Sequence, residues 1–245
     1  MDGVRIDAGH LPGKDGLCVV LAHGFTGSRR QPATRRIAAG LNHVGGVIAI
    51  DLRGHGRSGG LSTVGDREVM DVDAAVRHAR HLGYERVVLV GFSMGGMIVI
   101  RHAALIGGID AVVSVSAPAR WYYRDTKPMR RAHWAIERRS GRLAVRLARR
   151  TRITSRRWVR EPEPPYLVTG RISPVPFLVV HGDLDPFLPV DHAEQLYDGA
   201  NEPRELWIEP GFGHAEAAAT PDLIRRIGAW AAARTSEPDG ARPRR

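Results

Sequence analysis

Arg86-Val87-Val88-Leu89-Val90-Gly91-Phe92-Ser93-Met94-Gly95 joins an aliphatic run to a helical stretch through a G-x-S-x-G turn. Residues 86–90 predict a strand that is apolar on both faces, and residues 94–105 predict a helix. So tight a turn between strand and helix holds its serine in a strained backbone conformation and pushes the hydroxyl beyond the sheet. Gly91 and Gly95 leave room where side chains would collide. The helix N-terminus adds partial positive charge beside the hydroxyl. Ser93 is therefore the candidate nucleophile.

The same alternation continues on either side of this turn. Short apolar runs at 17–22, 47–50, 111–115, 177–180 and 205–208 predict further strands, with residues 4–6 as an extra edge strand. Residues 34–42, 67–82, 190–197 and 221–233 predict helices between and after them. In the second of these, Val69, Val72, Ala75, Val76 and Ala79 recur at three- and four-residue spacing and make one apolar stripe. Pro221 suits the first turn of the last helix, and Thr220 can cap it. The pattern predicts an α/β fold with a mostly parallel central sheet and helices on both faces.

Residues 117–173 break the rhythm. Prolines gather near the ends of this stretch, and its centre, 130–150, reads as one or two helices with Gly141 as a weak point. The predicted organisation is a core of residues 1–117 and 174–234, an inserted segment at 118–173, and a disordered tail at 235–245.

Composition sets the class. The 245 residues, 43% hydrophobic and 25% charged, fit one large globular domain. No apolar run is long enough for a membrane-spanning helix. Residues 1–16 lack a basic segment followed by an apolar one, so no signal peptide is expected and the expected location is cytoplasmic. Cys18 stands alone in an apolar run and reads as a small buried hydrophobe. The formal charge of +10 is unevenly placed: residues 120–160 hold fourteen arginines and one lysine against Asp125 and Glu137, and residues 241–245 hold three more arginines. The rest of the chain is mildly acidic.

A serine needs a base, and the base needs an orienting acid. His181-Gly182-Asp183-Leu184-Asp185-Pro186 follows one predicted strand, and Pro210-Gly211-Phe212-Gly213-His214 follows the next. Both therefore lie at the C-terminal edge of the sheet, where sites of open parallel sheets form. His214 is the candidate base. Asp185 is preferred as the acid, with Asp183 bracing the turn. An oxyanion hole needs two backbone donors. Met94 N–H is one. Phe25 N–H, in His23-Gly24-Phe25-Thr26-Gly27 after the 17–22 strand, is the other, with Gly24 allowing the close turn and His23 bracing the loop.

As a set these segments, together with Asp51-Leu52-Arg53-Gly54-His55-Gly56-Arg57-Ser58, resemble the α/β-hydrolase superfamily, in particular its esterase and lysophospholipase-like serine hydrolases. The likeness covers about residues 17–117 and 175–233. It implies the α/β-hydrolase fold, a Ser93–His214–Asp185 triad, no cofactor and no metal. It also implies a non-catalytic loop-shaping role for 51–58 and a variable lid at the insertion, here short and unusually basic.

The expected activity is hydrolysis of a small-molecule carboxylic (acyl) ester through an acyl-enzyme. Thioester, lactone or carbon–carbon bond hydrolysis and perhydrolysis by the same residues are alternatives, and a non-catalytic ligand-binding module is a remote one. The basic lid has two readings. It can attract anionic substrates, or associate weakly with an anionic membrane surface. The plainer and preferred reading is a solvated arginine-rich face with some stems packed on the lid. No nucleic-acid motif accompanies the charge, so no nucleic-acid partner is expected. The sequence leaves the oligomeric state open.

Overall fold

The computed structural model describes residues 2–14 and 16–236. The chain forms strands β1 (Ala8–Leu11), β2 (Leu17–Ala22), β3 (Gly46–Ile50), β4 (Arg86–Phe92), β5 (Ala111–Val115), β6 (Phe177–Gly182) and β7 (Arg204–Glu209). They make one sheet in the order β1-β3-β2-β4-β5-β6-β7. Only β1 runs antiparallel, against β3. Helices α1 (Pro32–Leu41) and α9 (Pro221–Thr235) cover one face. Helices α2 (Val69–His81) and α3 (Met94–Leu105) cover the other.

This arrangement explains the unbroken apolar runs. In β2, Cys18, Val20 and Ala22 enter the layer beneath α2 and α3, while Leu17, Val19 and Leu21 enter the layer beneath α1 and α9. Successive side chains of a strand point to opposite faces, so a strand covered on both sides favours apolar residues at successive positions. Cys18 lies fully inside, and burial pushes its thiol up to about 12, so it packs as a hydrophobe.

Two expectations are corrected. The edge strand is Ala8–Leu11, not residues 4–6. Residues 4–6 run beside the loop after β3, where Arg5 C=O accepts the Gly59 N–H at 2.7 Å. The pairing segment, Ala-Gly-His-Leu, is largely exposed at the sheet edge and carries no apolar alternation to reveal it. In the insertion, α4 (Lys127–Glu137) and α5 (Arg139–Arg149) are separate helices, and the break falls at Arg138, whose ψ of 142° is extended. Gly141 lies inside α5, where a Cβ would collide with the Trp134 carbonyl oxygen. Its role is close helix crossing, not chain breaking. Beyond α5, α6 (Pro165–Val168) leads back to the sheet, and Val168 and Ile172 are buried in the α2/α3 layer. Helix α7 (Asp191–Asp198) lies between β6 and β7, and α8 (Ala215–Ala218) lies between β7 and α9. The expected disordered tail lies outside the described residues except for Thr235, the last residue of α9, and Ser236.

Three buried imidazoles set an acid limit on stability. Desolvation holds His23, His55 and His192 down to about 4, below the ordinary value of 6.5. The unfolded chain therefore takes up protons below about pH 6.5 that the folded chain refuses until about pH 4. Asp71 and Glu216 act in the opposite sense, since burial raises both carboxyls, that of Asp71 to about 6, but the three imidazoles outnumber them. Tm is expected to fall by about 10 °C between pH 7 and pH 4.5. Calorimetry across that interval checks it, and a flat profile would contradict it.

Candidate active site

The site is assembled where β2, β4, β6 and β7 end. Ser93 follows β4 with φ 50° and ψ −116°, a left-handed conformation that costs a non-glycine residue about 1–3 kcal/mol. Its N–H donates to Val115 C=O at 2.8 Å, which ties the turn to the neighbouring strand. A Cβ on Gly91 would collide with the Gly95 carbonyl, and one on Gly95 with that of Ala22. The sharp turn thus depends on both glycines. Met94 is the first residue of α3, so its N–H has no acceptor within the helix.

β6 and β7 are parallel neighbours, so the loops after them leave the sheet side by side. Leu184 N–H donates to Phe212 C=O at 3.2 Å, and Gly211 N–H donates to Asp183 Oδ1 at 2.7 Å. Asp183 therefore clamps the two loops together from the exposed side. The Asp185 side chain is 0% exposed and faces inward. Its Oδ1 accepts the Phe187 and Leu188 N–H groups at 2.8 and 3.1 Å, and its Oδ2 lies 2.7 Å from His214 Nδ1. His214 Nε2 lies 3.0 Å from Ser93 Oγ. With Nδ1 donating to the carboxylate, Nε2 is left as an acceptor facing the hydroxyl. Phe187 stacks on the imidazole at a centroid distance of 4.3 Å, and an open cleft of about 440 Å³ runs past Pro186, Phe187 and Ala215 to the same histidine.

The loop after β2 lies beside the serine because Ala22 pairs with Gly91. His23 Nε2 accepts Leu52 N–H at 3.1 Å, which leaves Nδ1 to donate to Gly24 C=O at 2.8 Å. Its depressed pKa keeps this imidazole neutral, and it braces the loop. Among the described residues Phe25 N–H has no protein acceptor. The segment after β3 supports this loop from behind. Asp51 accepts the Arg29 N–H at 2.6 Å, the Ser28 hydroxyl at 2.9 Å and the Arg57 N–H at 2.9 Å.

Sequence reasoning missed Glu216. Ala215 adopts φ 50° and donates its N–H to Ser116 Oγ at 3.1 Å, which turns the chain back toward the serine. Glu216 Oε1 then accepts the Gly24 N–H at 2.6 Å. A Cβ on Gly24 would sit 3.2 Å from both Glu216 Oε2 and Ser93 Cβ, so the Glu216 carboxyl and Ser93 both crowd the space beside Gly24. Desolvation pushes this carboxyl above the usual carboxylate range. The only signal in the sequence was a single acid within Ala215-Glu216-Ala217-Ala218-Ala219. Among the described residues no group of side chains is arranged to hold a metal ion.

A mostly parallel sheet whose central strand ends in a strained serine, with acid and histidine loops converging from later strands, defines the α/β hydrolases as a class. The chain belongs to the alpha/beta hydrolase family, whose pattern it matches over residues 19–227. It is 30% identical to a monoacylglycerol lipase of Mycolicibacterium smegmatis over 237 residues, covering 80% of each chain. Its fold is similar to that of the Pyrococcus furiosus esterase Pf2001, with a TM-score of 0.73 at 24% identity over 94% of this chain and 86% of that one. A monoacylglycerol lipase of Paleococcus ferrophilus superposes with a TM-score of 0.69 at 21% identity, over 94% and 99% of the two chains. The chain is thus an esterase-like α/β hydrolase. Among the described residues no helix is long and apolar enough to cross a membrane.

Proposed function

We propose that this protein hydrolyses small carboxylic esters by acyl transfer to Ser93. The observation that carries the reading is the unbroken line of hydrogen bonds from Asp185 through His214 to the Ser93 hydroxyl. In this mechanism Oγ attacks the acyl carbonyl as His214 Nε2 takes its proton. The carbonyl oxygen becomes an oxyanion held by the Phe25 and Met94 N–H groups, each such donor contributing about 3–4 kcal/mol to the transition state. His214 returns the proton to the departing alcohol, and the acyl group remains on Ser93. Water then repeats the sequence and releases the acid. Asp185 holds the imidazole tautomer throughout and favours the imidazolium.

The likeness to a monoacylglycerol lipase supports an acyl ester as the substrate class. The inserted segment at 118–173 is the lid in this reading. Thr126 supports that role: its hydroxyl caps α4 at Met129 N–H and also donates to Phe187 C=O, 2.8 Å away, on the loop whose ring stacks on His214. A panel of p-nitrophenyl esters of graded acyl length, run beside matched thioesters and a fluorophosphonate label, tests the proposal. Ester turnover with labelling at Ser93 is expected. Preference for thioesters would move the activity to thioester hydrolysis, and absence of both labelling and turnover would defeat the mechanism.

Glu216 fits this mechanism as a positioning residue, because it holds the Gly24 amide and hence the neighbouring Phe25 donor. Glu216→Ala is expected to lower kcat by about tenfold to a hundredfold with little change in KM. Glu216→Gln keeps an acceptor for Gly24 and should restore most of the loss. Equal losses in the two variants would count against positioning by this hydrogen bond.

A further inference from the structure

The outer surface of the insertion combines features that solubility alone does not call for. On α5, Leu143 and Leu147 are 56% and 76% exposed, and Ala144 and Ala148 are exposed beside them. Spacings of three and four residues place these four on one strip of the helix. Arg139, Arg146 and Arg149 form the adjoining row, while Gly141 and Val145 turn toward α4 and the interior. On α4, Trp134 is 46% exposed, and Lys127, Arg130 and Arg131 line a shallow cleft of about 270 Å³ with it.

The cations are uncompensated. Within residues 120–160 the acids are Asp125 and Glu137 alone, and Glu137 is already engaged by Arg124 and His133. Among the described residues Arg131, Arg139, Arg146, Arg149 and Arg150 have no carboxylate in ion-pair range. Unpaired arginines beside exposed leucines and a tryptophan match one environment. An anionic bilayer offers phosphates to the arginines, acyl chains to the leucines and a headgroup boundary to the indole. A nucleic acid would use the arginines and leave the leucines in water. A second copy of a chain carrying +10 would meet this face with like charge.

We propose that the outer face of α4 and α5 docks the protein on anionic phospholipid surfaces. Leu143 and Leu147 enter the acyl boundary, and Arg139, Arg146 and Arg149 bind lipid phosphates. The Thr126–Phe187 hydrogen bond links the docked insertion directly to the loop beside His214. Docking does not require the esterase mechanism, since it concerns a surface that no triad residue shares.

The test is cosedimentation of the full chain with vesicles of phosphatidylcholine alone and of phosphatidylcholine containing about 30% phosphatidylglycerol, at low and physiological salt. Binding to the anionic vesicles, weakened by salt, is expected. Replacing Arg139, Arg146 and Arg149 together by Gln should weaken it about a hundredfold, at roughly fivefold per cation. Leu143→Ser with Leu147→Ser should weaken it at least about tenfold. Turnover of a soluble short-chain ester should stay unchanged in both variants. Leu147→Ser alone, at the most exposed apolar position of α5, serves if the double variant misfolds. The proposal is overturned by failure to bind anionic vesicles, by equal binding to both vesicle types, or by full binding in the leucine variants. Tighter binding to duplex DNA that ignores the leucine changes would equally overturn it.

Discussion

Ser93→Ala is expected to lower kcat by about 10⁴-fold or more while leaving Tm nearly unchanged. The two halves of that expectation have separate causes. In the proposed chemistry Oγ forms the acyl bond, and it lies 3.0 Å from His214 Nε2. Its removal leaves only the backbone donors and binding to accelerate attack by water. In folding, the strained φ of 50° and the Ser93 N–H bond to Val115 belong to the backbone and survive the change. Steady-state kinetics paired with a melting curve read both. Retained turnover would remove Ser93 from the reaction, and a large fall in Tm would show that the hydroxyl also stabilises the turn.

The second large effect is expected at Asp185. Asp185→Asn should reduce kcat by about 10³- to 10⁴-fold, because an amide can present its N–H₂ to Nδ1 and so favour the wrong tautomer of His214. Asp183→Asn, two residues away, should change kcat by less than about threefold. Asp183 is exposed and touches Gly211, whereas the carboxyl of Asp185 is enclosed and already holds the Phe187 and Leu188 amides. Two acids in one loop are thus separated by a single measurement. Comparable losses at both positions would mean that the loop as a whole, not the Asp185–His214 bond, sustains activity.

The elbow at Ser93 was legible because its causes are local. An apolar strand, two glycines and a helix lie within a few residues of each other, and nothing distant is needed to force the turn. Strand β2 likewise begins and ends where its apolar run does, since burial on both faces leaves its mark at every position. The helices of the insertion were less legible. Glycine is a weak helix residue by propensity, so Gly141 invited a break, yet α5 runs through it because close contact with Trp134 requires the missing side chain. The edge strand β1 was misplaced because a half-exposed strand of four residues needs only backbone pairing, which any short segment can supply.

By itself, then, the sequence determined the alternation of strands and helices, the position of the strained serine and the loops that carry Asp185 and His214. These follow from side-chain periodicity and from turn residues that act on their immediate neighbours. Only the tertiary structure decided which of two aspartates meets the imidazole, and only it placed Glu216 against the amide of Gly24, far away in the chain. Such contacts depend on how loops leave adjacent strands and where a single residue such as Ala215 reverses direction. No local pattern encodes that geometry, because it arises from the packing of the whole sheet and its helices.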